Sequence, residues 1–505
     1  MDRMKIRIII HHMLILLVMS QGNPLFAAWN DTIPRRDSVT LREAHIGDRE
    51  IDRRLLTSYK PVPGNLLNFY LQARTALAGE PGADFTGKGL VEAAREYDIP
   101  LMGGPMLGNL AEDGVTIWIR PSSTDPLMVS VKETGGPGEK SFQVKPAGAG
   151  VAERIRVDRL APATGYTYSI RSGQRKIAGG RFTTAPSPGE KGIFRVTFGS
   201  CFHKIGLHNP NIINRITERE PHAMMLLGDI AVDDRRDRIN MHRADYLLRD
   251  VSGPWRELAA NVPLYTSWDD HDYFDNDLAG VPEGFTVEDR RAVRAVWHRN
   301  WNNPENDRPG IYFNTRVGPV EIIMLDTRSC RENERRGEYG SYLGLEQLNW
   351  LKKVLKNSGP PYKVISSGTM WSDYVSDGKD SWGTWDREAR AELFDFIVSE
   401  NISGVVLLSG DRHGARGFRI PTAPGFALHE FEAASLGGVP GPDAMAPDTT
   451  HQLFGYHGKD AIAFGELTFN MAGDEPHLTF RLINQSGKVL EEHALPYKQL
   501  TPREQ

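Results

Sequence analysis

Six mostly apolar runs that end in polar residues constrain this chain more than anything else in its sequence. They are FRVTFGSC at 194–201, AMMLLGD at 223–229, VPLYTSWDDHD at 262–272, VEIIMLDTR at 320–328, YKVISSG at 362–368 and VVLLSGDRH at 405–413. Short, nearly continuous apolar runs suit strands covered on both faces. Helical periodicity stands between them in LEQLNWLKKVLKN and in REARAELFDFIVSEN, with Asp386 placed to N-cap the second. The expected fold class is therefore α/β, a layered sandwich whose strand C-terminal ends share one rim, where such folds bind ligands. The segment AIAFGELTFNMAGDEPHLTFRLINQSGKVLEEHALP reads as a hairpin that completes the sheet.

A chain of 505 residues calls for more than one core. Residues 100–186 carry short alternating segments, GVTIWIRP, LMVSVKET, GYTYSIRS and KIAGGRFTTAP, which predict a small β-sandwich. The stretch LAPATGYTYSIRSG within it resembles the fibronectin type III pattern. Residues 29–99 contain the helical piece NLLNFYLQARTALA and no assignable chemistry, so packing is the role expected of them. Arg3, Lys5 and Arg7 precede an apolar stretch from Ile8 to Met19 and then small residues, the order of a secretory signal peptide over residues 1–28. The mature protein is then expected in the periplasm or outside the cell, with no transmembrane segment, since no second long apolar run follows.

A formal charge of -5 and an isoelectric point near 6.3 give no general basic field. Nucleic acid and anionic membranes are poor candidates for the main partner, and an anionic substrate would need local cations. Cys201 and Cys330 are the chain's cysteines, and a disulfide between them is one option that the sequence leaves open.

The strand ends deliver Cys201, Asp229, the cluster WDDHDYFDND at 268–277 with Asn276, and Asp411 with His413. Thiolate, carboxylate, amide oxygen and imidazole are the usual protein ligands of metal ions, and a mixed set suits a pair of unlike ions. Two cations close together lower the pKa of a shared water and clamp the oxygens of an in-line displacement at phosphorus. Crowded aspartates repel one another unless cations or hydrogen-bond donors compensate them.

The ordered set FGSC, LLGD, WDDHD with Asn276, LDTR and LSGDRH resembles the PhoD-like alkaline phosphatase family of metallophosphoesterases, over roughly residues 100–495. The resemblance implies an exported metal-dependent hydrolase of phosphate monoesters or diesters, acting by attack of a metal-activated hydroxide. It implies that Cys201 and Asp229 bind one ion, typically iron, and that Asp229 bridges to a second, typically calcium, held by Asn276, Asp411 and His413. Asp270 is then a ligand or a residue that hydrogen-bonds one. His271 is read as general acid and phosphoryl contact, or as a further ligand, and Arg328 as a planar fork for phosphate oxygens.

One departure concerns Val232, which stands where the family usually has a tyrosine ligand to iron. His203, two residues after Cys201, is a candidate to fill that place and would favour zinc, manganese or ferrous iron, with a polar loop residue as the other reading. Asp233 and Asp234 are replacement ligands or ordinary solvated acids. A catalytically weakened module that binds metal and ligand without turnover is the alternative function.

Overall fold

A computed structural model describes residues 32–236, 238–375, 380–458 and 461–502. The expected signal peptide lies outside the described residues. The chain divides into Met1–Pro34 and a compact unit, Arg35–Gln505, which holds everything that follows. Among the described residues no helix is long and apolar enough to cross a membrane.

The unit begins with helices Leu41–Ile46, Arg49–Leu56, Gly64–Gly79 and Lys88–Glu96. Thr40 and Glu43 form a capping box that starts the first of them, and Gly47, at φ 52°, ends it. A Cβ at Gly47 would stand 2.5 Å from the Arg235 guanidinium, so this tight stop needs glycine.

Strands β1 (Leu101–Ala111), β2 (Gly114–Pro121), β3 (Leu127–Glu133), β4 (Glu139–Val144), β5 (Glu153–Val157), β6 (Gly165–Ser172) and β7 (Arg175–Thr183) follow. They make a three-stranded sheet, β1-β2-β5, and a four-stranded sheet, β4-β3-β6-β7, both antiparallel. Buried polar contacts tie these sheets to the rest of the unit. Asn302 Nδ2 donates to Met106 O and Thr116 O at 2.9 Å, and Arg120 pairs with Asp250 at 3.3 Å.

The remaining strands are β8 (Ile193–Gly199), β9 (Ala223–Leu227), β10 (Leu264–Ser267), β11 (Phe313–Val317), β12 (Val320–Met324), β13 (Tyr362–Ser366), β14 (Val405–Ser409), β15 (Gly414–Ala423), β16 (Phe426–Ala433), β17 (Gln452–His457), β18 (Ala463–Asn470), β19 (His477–Asn484) and β20 (Val489–Pro496). They form two sheets, the layers of the expected sandwich. One is six-stranded, β10-β9-β8-β18-β19-β20, and the other seven-stranded, β11-β12-β13-β14-β16-β15-β17. The closing segment adds β18 antiparallel to β8, in the middle of the first sheet, rather than at an edge.

Phe198, Leu467 and Phe480 of one sheet share a core with Val364, Leu408 and Phe431 of the other. Helices Leu345–Asn357 and Arg387–Ser399 pack on the outer face of the second sheet through Leu351, Leu355, Leu393 and Ile397. Asp386 caps the latter helix, accepting from Ala389 N–H at 3.1 Å. Strands β8, β9 and β10 run parallel, as do β12, β13, β14 and β16. Their C-terminal ends therefore bring residues 200–203, 228–234, 268–272, 326–328 and 410–413 to one rim.

Candidate metal centre

The turns after β8 and β9 interlock. Cys201 N–H donates to Gly228 O at 3.1 Å, and His203 N–H donates to Asp229 O at 2.8 Å. Gly228 is required by close approach, since a Cβ there would stand 2.5 Å from that of Asp269. Cys201, His203, Asp229, Asp411 and His413 have φ of 56°, 46°, 55°, 75° and 47°. Left-handed backbone costs free energy at any residue other than glycine, and clusters where geometry serves a function.

The aspartates of 268–277 divide by role. Asp269 accepts from Arg328 Nε. Asp270 accepts Asp277 N–H at 2.6 Å and faces Arg328 Nη2 at 3.4 Å. Asp272 accepts from the backbone N–H groups of Ile230, Ala231 and Val232 at 3.2–3.5 Å and so holds the loop that follows Asp229. Asp275 pairs with Arg236 at 2.5 Å.

Arg328 is fully buried, with Asp269, Asp270, Asp380 at 2.6 Å and Asp411 at 3.7 Å around it. One guanidinium does not balance these carboxylates. Burial pushes Asp269 up to about 7, with Arg328 opposing and Asp270 adding to the rise. Burial and then the neighbouring aspartates hold Asp411 well above the carboxylate range. Burial raises Asp229 as well.

On the other side Cys201 Sγ donates to Asp229 Oδ2 at 3.5 Å, and burial followed by the charge of Asp229 pushes the thiol well up. The His203 and His413 rings stack at 5.2 Å, and burial holds His203 below its ordinary pKa and brings His413 down to about 3. His203 Nδ1 lies 3.1 Å from Asp233, and His271 Nδ1 lies 2.6 Å from Asp234. Burial alone would lower His271, but Asp270, Asp229 and the hydrogen bond to Asp234 hold it well above its ordinary value.

Ligand atoms lie within 4.8 Å of one another in Cys201, His203 and His413, in Asp229, Asp270 and His271, and in Asp269, Asp270 and Asp411. Asp229 Oδ1, Asp269 Oδ2, Asp270 Oδ1, His203 Nε2 and His413 Nδ1 are buried with no hydrogen-bond partner among the described residues. Buried polar atoms ordinarily have partners. Orphaned donors of these chemical types, in groups this tight, fit metal ions.

The structure thus gathers Cys201, His203, Asp229, Asp270, His271, Asp411, His413 and Arg328. It differs from the sequence reading in several places. Asn276 is exposed, and its Nδ2 donates to Asp277 at 2.8 Å, so its amide is engaged outside these groups. His413 joins Cys201 and His203, while Asp411 joins the aspartates. Arg328 is enclosed by carboxylates instead of presenting an open fork. Asp233 and Asp234 hold imidazoles and are not simply solvated. Cys201 and Cys330 are both free thiols. Asp269 and Asp380 were missed, as was His45 in the helical extension, whose Nδ1 lies 2.8 Å from Asp234. A signal for Asp269 was present in WDDHD; for His45 there was none.

The sequence model described as PhoD-like phosphatase matches residues 211–489, a span that starts after Cys201 and His203. Alkaline phosphatase D of Bacillus subtilis (strain 168) is 24% identical over 401 residues, 64% of this chain and 66% of that relative's length. A solved structure of PhoD is similar with a TM-score of 0.62 at 18% identity, over 78% of this chain and 92% of that one. Purple acid phosphatase PPD1 from yellow lupin (Lupinus luteus) seeds gives a TM-score of 0.58 at 16% identity, over 78% and 75%. At these identities the two structures speak for the fold.

Proposed function

This chain belongs to the PhoD-like phosphatase family, and on that premise we propose that it hydrolyses phosphate esters at a metal centre built by Cys201, His203, Asp229, Asp269, Asp270, Asp411 and His413. The observation that carries the reading is the set of buried, unpartnered oxygens and nitrogens converging there. Thiol and imidazole in the Cys201, His203 and His413 group suit zinc or iron. The oxygen-only group of Asp269, Asp270 and Asp411 suits calcium or manganese. Cations there supply a water of lowered pKa and charge to set against phosphoryl oxygens.

Val232 has no ligand atom, and its backbone N–H serves Asp272. His203, oriented by Asp233, takes the place that a tyrosine fills in the family. His271 carries a proton next to Asp229 and Asp270 and is the group to protonate a leaving alkoxide. Arg328 is a positioning residue, whose fork holds Asp269 and Asp380 while its charge offsets Asp270 and Asp411. Export belongs to the same proposal and rests on the basic-then-apolar order of residues 3–19.

The test is elemental analysis of protein purified without added metal, together with hydrolysis of nitrophenyl phosphate and bis(nitrophenyl) phosphate. We expect a transition metal plus a harder divalent ion, and turnover that Asp229→Ala and Asp411→Ala each abolish. Full activity in either variant would sink the proposal.

A further inference from the structure

The helical extension ahead of the β-sheets places one side chain at the metal centre. Thr40 and Glu43 start the helix Leu41–Ile46, Gly47 stops it, and His45 falls in its last turn. Two buried arginines clamp the end of that helix. Arg74 Nη2 donates to Gly47 O at 2.6 Å, and Arg235 Nη1 donates to His45 O at 3.4 Å and to Ile46 O at 3.3 Å. Each arginine is itself fixed, Arg74 by Asp52 at 2.5 Å and Arg235 by both oxygens of Asp245 at 2.6 and 2.8 Å. The backbone of His45 is therefore held to the body of the protein by charge-assisted contacts.

From there the His45 imidazole meets Asp234, with Nδ1 at 2.8 Å from Oδ2. The other oxygen of Asp234 takes His271 Nδ1 at 2.6 Å. One carboxylate thus joins two imidazoles, whose ring centroids lie 4.8 Å apart. His45 Nε2 is buried without a hydrogen-bond partner and stands 4.0 Å from Asp233 Oδ1, which in turn meets His203 Nδ1 at 3.1 Å. Adjacent acids of one loop therefore hold the Nδ1 atoms of His203 and His271, leaving the Nε2 atoms for the centre, and His45 fixes Asp234 while standing close to Asp233.

We propose that His45 is a positioning residue of the metal centre: it fixes Asp234, and through Asp234 the aim of His271, whose ring nitrogen shares a group with the carboxylates of Asp229 and Asp270. The extension is on this account part of the active centre and not a packing element alone. Carboxylates that orient imidazoles near metals are worth about 10–100-fold in metal affinity or activity when removed. A residue that fixes such a carboxylate falls at the lower end of that range. The proposal rests on the phosphoesterase reading for its effect on turnover, but its effect on metal retention does not depend on turnover.

The experiment compares His45→Ala, His45→Asn, Asp234→Asn and the double variant His45→Ala/Asp234→Asn in the full chain. Asparagine places an N–H donor where His45 Nδ1 stands. We expect His45→Ala to lower kcat on an alkyl phosphate about tenfold with KM within about twofold, to release metal to a chelator at about tenfold lower chelator concentration, and to melt cooperatively. His45→Asn should restore most of both losses. The double variant should be no worse than Asp234→Asn, since His45 acts through that carboxylate.

Losses that simply add in the double variant, or an Asn variant as impaired as the Ala variant, would overturn the proposal. So would wild-type kcat and metal retention in His45→Ala. If the wild type itself turns over no phosphate ester, the phosphoesterase reading fails, while the chelator comparison still decides the role of His45.

Discussion

His203 and His413 stack face to face, with ring centroids 5.2 Å apart and planes 8° from parallel. His203 is buried and His413 half-buried, and each has a buried nitrogen with no hydrogen-bond partner among the described residues. Two imidazoles in contact, each with an idle nitrogen and with Cys201 beside them, form a donor set that suits a bound ion. Chelator treatment is expected to lower the melting temperature, and added transition metal to restore it. A cation at about a hundred times its Kd contributes roughly 2.7 kcal/mol of stability. Scanning calorimetry of chelated and reloaded protein checks this, and an unchanged melting temperature would count against the centre.

His271 offers a sharper test of chemistry. As a general acid its contribution depends on the leaving group, because a good one departs without a proton. His271→Asn should cost about 10²–10⁴-fold in kcat on an alkyl phosphate and much less on nitrophenyl phosphate. Equal losses on both substrates would instead mark His271 as a metal ligand.

Arg328 is enclosed by Asp269, Asp270, Asp380 and Asp411. Removing one partner of a buried ion pair leaves the others uncompensated, at a cost of about 3–5 kcal/mol. Arg328→Met should destabilise the metal-free protein by about that amount, and divalent cations should recover part of it by taking over the charge balance. Urea unfolding with chelator and with metal measures both terms.

Away from the centre, Glu466 sets part of the acid limit of the fold. Burial pushes its carboxyl up, but the bidentate fork of Arg219 at 2.7 and 2.8 Å and the charge of Arg195 outweigh this and hold it below its ordinary value of 4.5. A carboxyl depressed in the folded state contributes stability that is present above the unfolded value and is lost as pH falls through the folded one. Glu466→Gln should therefore cost about 3 kcal/mol at pH 7, and the gap to wild type should narrow as pH drops below about 4. Denaturant midpoints at the two pH values give the comparison, and a gap that stays constant would refute it.

Much of the centre was legible in the chain because its residues follow apolar strands directly. Cys201, Asp229, Asp411 and His413 each sit within a few residues of a run such as AMMLL or VVLLS, and parallel pairing of those runs carries their ends to one rim. Helices Leu345–Asn357 and Arg387–Ser399 were legible for a similar reason, since their periodicity and the Asp386 cap are local properties.

Other assignments depended on contacts between distant segments. WDDHDYFDND does not say that Asp272 serves the backbone of residues 230–232 while Asp269 and Asp270 meet Arg328, because those partners lie in loops that follow other strands. Nor does the sequence distinguish Asn276, which faces solvent, from the aspartates around it. Nor does it say which strands join which of the two sheets, because each run is equally apolar in either.

The chain by itself determined which residues end strands and helices, and so which chemistry stands on the rim, since apolar periodicity and capping act over a few neighbouring residues. Only the tertiary structure decided which donors share a group and which carboxylates Arg328 offsets. It alone placed His45, because ion pairs and ligand groups form between side chains whose separation is fixed by packing and not by their spacing along the sequence.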